Sequence, residues 1–212
     1  MTGTNAIIDL SHHNGAVDLG RARAAGIAGV IHKATQGTTY VDPMFAANRV
    51  KAAAAGLLFG AYHFGTGGDG GPQADFFLRT VQPAARDLLV LDFEENTAGP
   101  SMTLDQARAF VSRVRSATGR WPGLYGGHYL KEQLGAQADA LLSNCWLWLS
   151  QYGANAVCPS AWHAWTMWQY TDGAVGPDPQ PVDGIGVCDR TTYNGTLAEL
   201  MDFWSAANAT NA

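Results

Sequence analysis

In the first half of the chain, short β-like runs alternate with alanine-rich helical stretches, which restricts the fold to a parallel α/β architecture. The strand-like runs are Ala6–Leu10, Gly29–Lys33, Leu57–Phe64 and Asp87–Phe93. Helical patterns fall between and after them, at residues 18–25, 43–55, 72–82 and 103–118. Asp18 can cap the first helix, Pro43 suits the first turn of the second, and Gly56 stops it. Thr103 with Gln106 three residues on is a capping-box pattern. The second half keeps short strands at Gly123–Tyr125, Cys145–Leu149, Thr166–Tyr170 and Gly186–Asp189, with a last helix near Leu197–Ala206. Strands joined by helical crossovers run parallel, so the expectation is an α/β sheet or barrel.

Composition narrows the function classes. The length of 212 residues fits one core, and we expect a single domain over 1–212. A formal charge of −5 argues against nucleic acid, whose phosphates need a basic surface. No apolar run reaches the ~18 residues of a membrane span. Cys145, Cys158 and Cys188 make an odd count without CxxC spacing, which argues against a zinc knuckle or a disulfide framework. The 7 Trp and 7 Tyr suit either core packing or flat platforms for sugar rings.

Ionisable and aromatic residues gather at the strand ends, where parallel α/β folds bind their ligands. Asp9 is near the end of the first run, Lys33 ends the second, and Tyr62 and His63 end the third. Asp92 and Glu94 end the fourth; Tyr125, Trp148, Gln169 and Asp189 hold similar places later. The sharpest feature is LLVLDFEE at 88–95. Strand alternation puts Asp92 and Glu94 on one side, Cα atoms about 7 Å apart, with Phe93 pointing away. Apolar neighbours and mutual repulsion raise a carboxyl's pKa, so one of the pair can stay protonated and act as the acid of glycoside hydrolysis. Glu94, the longer, is the candidate acid, and Asp92 its charged partner. His63 is read as a sugar contact or a buried, hydrogen-bonded histidine. His12 and His13 are adjacent, so on a strand they would face opposite sides, and no metal site is expected. A G-x-S-x-G serine elbow is absent.

The chain resembles the glycoside hydrolase family 25 lysozymes, the Chalaropsis-type N-acetylmuramidases. The matching segments are IIDLSHHNG (7–15), GVIHKATQGTTYVDPMFAAN (29–48), AAGLLFGAYHFG (54–65) and LDFEE (91–95), followed by GLYGG (123–127), CWLWLSQY (145–152), WTMWQYTDG (165–173) and IGVCDRTTYNG (185–195). The resemblance implies an irregular TIM-like (β/α)5(β)3 barrel. It also implies hydrolysis of the β-1,4 bond between N-acetylmuramic acid and N-acetylglucosamine in peptidoglycan, without a cofactor. The family's DxE motif falls on Asp92 and Glu94, with Glu94 as proton donor. Its first-strand acid falls on Asp9 and its last-strand acid on Asp189. Cleft positions match Lys33, Tyr62, Tyr125, Trp148 and Gln169. Two departures stand out: His13 where many relatives have an aromatic, and Arg190-Thr191-Thr192-Tyr193 after the last acid.

The expected partner is the peptidoglycan glycan strand, met by a monomer. MTGTNAIIDLSHH has no basic n-region, so the expectation is cytoplasmic synthesis without a signal peptide. Holin-type release or export would bring the protein to the wall, as for a phage or prophage endolysin. Attack by the substrate's own acetamido oxygen and attack by a carboxylate are both open. The rivals are a non-catalytic peptidoglycan-binding module of the same fold, a metal-dependent hydrolase, and a chitinase. The chitinase is disfavoured because Val90 stands where its D-x-x-D-x-D-x-E run, ending at Glu94, needs an acid.

Overall fold

The structure, a computed structural model, describes residues 3–177 and 181–206, so the termini and positions 178–180 of the expected 1–212 domain lie outside it. The strands are β1 (Thr4–Leu10), β2 (Gly29–Gln36), β3 (Tyr40–Val41), β4 (Leu58–Phe64), β5 (Leu88–Asp92) and β6 (Gly123–Gly126). They continue as β7 (Trp146–Ser150), β8 (Met167–Thr171), β9 (Pro181–Val182), β10 (Gly186–Val187) and β11 (Asp189–Tyr193). The helices are α1 (Leu19–Ala24), α2 (Phe45–Ala54), α3 (Gly70–Val81), α4 (Leu104–Thr118), α5 (His128–Leu134) and α6 (Leu197–Ala206).

Eight strands close a barrel in the order β1, β2, β4, β5, β6, β7, β8, β11, with β1 pairing both β2 and β11. Neighbours pair parallel from β1 through β8, whereas β11 runs antiparallel to both β8 and β1. Each of the first five barrel strands is followed by a helix, β7 and β8 are not, and β11 leads into the terminal α6, which is the expected (β/α)5(β)3 order with one added helix at its end. No helix among the described residues is long and apolar enough to cross a membrane.

Local sequence accounts for the helix boundaries. Asp18 accepts a hydrogen bond from the Arg21 N–H, and Thr103 with Gln106 forms the reciprocal capping box. The third helix starts earlier than its apolar pattern indicates. Asp69 caps it through the Gly71 N–H, so Gly70 and Gly71, which lie ahead of the 72–82 pattern, form its first turn. A Cβ on Gly70 would sit 1.9 Å from the Gln106 carbonyl oxygen, so only glycine lets α3 lie this close to α4. Sequence reasoning also missed α5, a short helix set directly after Gly126-Gly127.

Strand alternation separates two cores. Outward residues, among them Ile8, Val30, Leu91, Phe93 and Leu147, pack beneath the helices. Inward residues Ile7, Ile31, Val90, Tyr125, Trp148 and Met167 fill the barrel, joined by Leu200 and Trp204 from α6. The Trp204 indole N–H donates to the Phe59 carbonyl at 3.1 Å, so α6 plugs the end of the barrel away from the carboxyl ends of the parallel strands. Bulky rings there demand a bare backbone: a Cβ on Gly123 would lie 2.4 Å from the Trp146 ring. Gly123→Ala is therefore expected to destabilise the fold by about 1–3 kcal/mol, measured by urea unfolding.

Candidate active site

The opposite end of the barrel is open and polar. Asp9 is the penultimate residue of β1, Asp92 ends β5, and Glu94 follows two residues on. Asp189 corrects one expectation: it begins β11 rather than ending a strand. Because β11 runs antiparallel, its first residue arrives at the same rim as the last residues of the parallel strands. Asp9 and Asp189 are register partners across the β1–β11 pair.

These four carboxyls line one cleft of about 280 Å³, together with Tyr62, Tyr125, Trp148 and Gln169. Asp9 and Asp92 are only 8% and 5% exposed, which makes their charges expensive. The cleft wall is tied by hydrogen bonds. Tyr125 Oη donates to Gln169 Oε1 at 2.8 Å, and Gln169 Nε2 donates to Asp9 Oδ2 at 2.9 Å. The Trp148 indole N–H donates to Thr191 Oγ1 at 3.0 Å, fixing the ring edge-on to Tyr125. Asp92 Oδ1, by contrast, is buried without a hydrogen-bond partner.

Every one of the four carboxyls is held above its ordinary pKa. Burial is the main cause for Asp9, and the Asp189 charge adds to it, against the Gln169 hydrogen bond. Burial and then Glu94 push Asp92 well up, while Lys33 opposes them. Glu94 is raised by burial, with Lys33 again opposing and Asp189 assisting. Asp189 is pushed up to about 6, mainly by burial. Four acids in one low-dielectric cleft resist simultaneous ionisation, so each makes its neighbours harder to deprotonate.

The remaining candidates divide. Lys33 is not part of the cleft lining. Its Nζ donates to Gln36 Oε1 at 2.8 Å and lies 4.9 Å from the Phe64 ring centroid, and it reaches Asp92 and Glu94 through its charge. His63 takes the second of its two readings, a buried, hydrogen-bonded histidine, and its place among the sugar contacts is corrected. It faces the helices and is fully buried, 2.8 Å from Thr35 Oγ1 and 3.1 Å from Gln73 Oε1. Its ring stacks on Phe110, and burial lowers its pKa to about 4. Neighbours on a strand point oppositely, so once Tyr62 enters the cleft His63 cannot. His63→Ala is thus expected to cost about 2–4 kcal/mol of stability by opening a core cavity, with KM on soluble glycan strands unchanged.

The two adjacent histidines also sit differently from the strand reading. They lie on a 3-10 turn capped by Ser11, with ring centroids 3.9 Å apart. His12 Nδ1 pairs with buried Asp42 at 2.8 Å, and His13 borders the cleft beside Asn14. Sequence reasoning missed Tyr152 on the cleft margin. Its position two residues beyond β7 is the signal that could have located it.

Comparison with known proteins places this geometry. Residues 8–178 match the family model of Glycosyl hydrolases family 25. The chain is similar to "Lysozyme M1" of Streptomyces globisporus, 31% identical over 210 residues that cover 92% of this chain and 69% of that protein. It is 30% identical to the "N,O-diacetylmuramidase" of a Chalaropsis species, over 77% of this chain and 86% of that one. The solved bacterial lysozyme from Streptomyces coelicolor superposes with a TM-score of 0.84 at 30% identity, covering 98% of this chain and 99% of the other. The chain therefore belongs to glycosyl hydrolases family 25 and is a glycoside hydrolase.

Proposed function

We propose that this protein is a lysozyme that cuts the β-1,4 bond between N-acetylmuramic acid and N-acetylglucosamine in peptidoglycan. One observation carries the reading: Asp9, Asp92, Glu94 and Asp189 share a single cleft, walled by tyrosine and tryptophan. The names of the relatives support the substrate class.

In this reading Glu94 is the general acid. It is less buried than Asp92 and stands beyond the strand end, where a leaving oxygen can meet it. Asp92 Oδ1, buried without a partner, accepts the substrate's 2-acetamido N–H. The acetamido oxygen then attacks the anomeric carbon as the glycosidic C–O bond breaks and Glu94 protonates the leaving oxygen. Glu94, now ionised, takes a proton from the water that opens the cyclic intermediate, so configuration is retained. Asp9, held by Gln169, and Asp189 keep the cleft negative toward the developing positive charge at the ring. Tyr62, Tyr125 and Trp148 present ring surface to the sugar, and Lys33 tunes the acid pair.

Mass spectrometry of digested, purified peptidoglycan tests this. The expected fragments end in reducing N-acetylmuramic acid; fragments ending in N-acetylglucosamine, or none, would contradict it. Release of phage progeny is the biological setting we propose. Co-expression with a holin should then lyse a host that survives either gene alone.

A further inference from the structure

The cleft and its proposed substrate are in electrostatic conflict. Four lining side chains are carboxyls, and every muramic acid of a glycan strand brings a carboxylate of its own, free on the lactyl group or along an attached peptide. Like charges repel most where water is scarce. Among the described residues that line the cleft there is no lysine or arginine, and His13 is the one side chain able to carry a positive charge. It is exposed at the cleft margin. The turn beneath it is held from two sides. Within the turn, the Ser11 N–H donates to Asn14 Oδ1 at 2.8 Å, and the His13 N–H donates to Ser11 Oγ at 3.3 Å. From outside, Asp42 reaches across from the end of β3 with a fully buried side chain. Its Oδ2 accepts from the His12 backbone N–H at 3.0 Å and stands 2.8 Å from His12 Nδ1, while its Oδ1 accepts from the Met44 N–H at 2.9 Å. A carboxylate only accepts, so His12 Nδ1 carries the hydrogen and the ring is fixed. His13 lies against that ring, with centroids 3.9 Å apart.

We propose that His13 receives a carboxylate of the glycan strand and so selects acid-bearing strands over uncharged N-acetylhexosamine polymers, with the Asp42–His12 pair as the positioning device that holds it at the rim. The inference rests on the lysozyme reading and deepens it by giving that preference to one side chain. An imidazolium N–H donating to a carboxylate makes a charge-assisted hydrogen bond, stronger than one between neutral groups. It also offsets the repulsion that the four cleft acids exert on an anionic strand, whereas a neutral strand gains nothing from it. The carboxylate is remote from the bond that breaks, so the contact is made equally before and during the reaction. Its effect therefore belongs in KM and not in kcat.

The test compares wild type, His13→Phe and Asp42→Asn by steady-state kinetics in mildly acidic buffer, where an imidazole carries charge. The Phe variant keeps a ring against His12 and removes the charge and the N–H. Three substrates are used: peptide-free strands with the lactyl carboxylate free, the same strands with that carboxylate converted to its methylamide, and strands that keep their peptides. We expect His13→Phe to raise KM about 3–10-fold on the free-carboxylate strands, with kcat unchanged and no effect on the methylamide strands. Asp42→Asn should lose part of the same selectivity; a merely structural role would lower the melting temperature and leave the ratio between substrates unmoved. A rise in KM on the peptide-bearing strands instead supports the proposal with the peptide as the source of the carboxylate. An equal effect on charged and methylamide strands, or no effect on any strand, overturns it. Wild-type protein that cuts none of the three overturns the lysozyme reading, a separate failure.

Discussion

Replacing Glu94 with Gln is expected to reduce turnover of purified peptidoglycan by about 10²–10⁴-fold, the range for losing a general acid. The fold should survive, because the carboxyl anchors no element and its burial works against its charge. Circular dichroism should match the wild type, with a melting temperature equal or slightly higher. The loss should appear in kcat rather than in KM, since the proton is needed only as the leaving oxygen departs. Near-normal turnover by a folded Glu94→Gln protein would remove the assignment.

Asp92→Asn should inactivate and stabilise together. Asp92 is buried, its pKa is raised by desolvation and by Glu94, and one of its oxygens has no partner. The sign follows from linkage. Below pH 4 the carboxyl is protonated in both folded and unfolded chains, so the Asn variant gains nothing electrostatically. As pH rises toward the elevated folded pKa, the unfolded chain releases its proton first, and wild-type stability is lost relative to the variant. The advantage of Asn should therefore be near zero at pH 4 and grow toward pH 8. There it should show as a higher Tm for the variant than for the wild type. Activity should fall by about 10²-fold or more over the same range, because an amide cannot take up developing positive charge from the acetamido group. Calorimetry at both pH values checks the trend; a variant less stable than the wild type at pH 8 contradicts it.

Much of this was legible in the sequence for local reasons. Caps are short-range chemistry, so Asp18, Thr103 and Gln106 marked their helices correctly. The run Leu88–Leu91 is apolar on both faces, as a parallel strand covered on both sides requires, and it led directly to Asp92 and Glu94. What failed depended on tertiary direction. Nothing local says that β11 runs antiparallel, so Asp189 reached the correct rim from the opposite end of its strand. His63 was left between two roles because strand-end position competed with alternation, although Tyr62 beside it already claimed the inward face. Gly70, at the start of α3, fell outside the helical pattern because its role, close approach to α4, exists only once both helices are packed. Tyr152 was overlooked because it sits in irregular chain, where periodicity carries no signal.

The account turns on whether this cleft stores a proton at the pH where the enzyme works. Carboxyl ¹³C NMR on protein labelled at Asp and Glu side chains reads that directly, with Asp9→Asn, Asp92→Asn, Glu94→Gln and Asp189→Asn assigning the signals. At least one cleft carboxyl should remain protonated above pH 6, and its resonance should vanish or shift when Asp92 or Glu94 is replaced. If all four instead titrate together near pH 4, like solvated side chains, no acid is available to the leaving sugar and the mechanism fails.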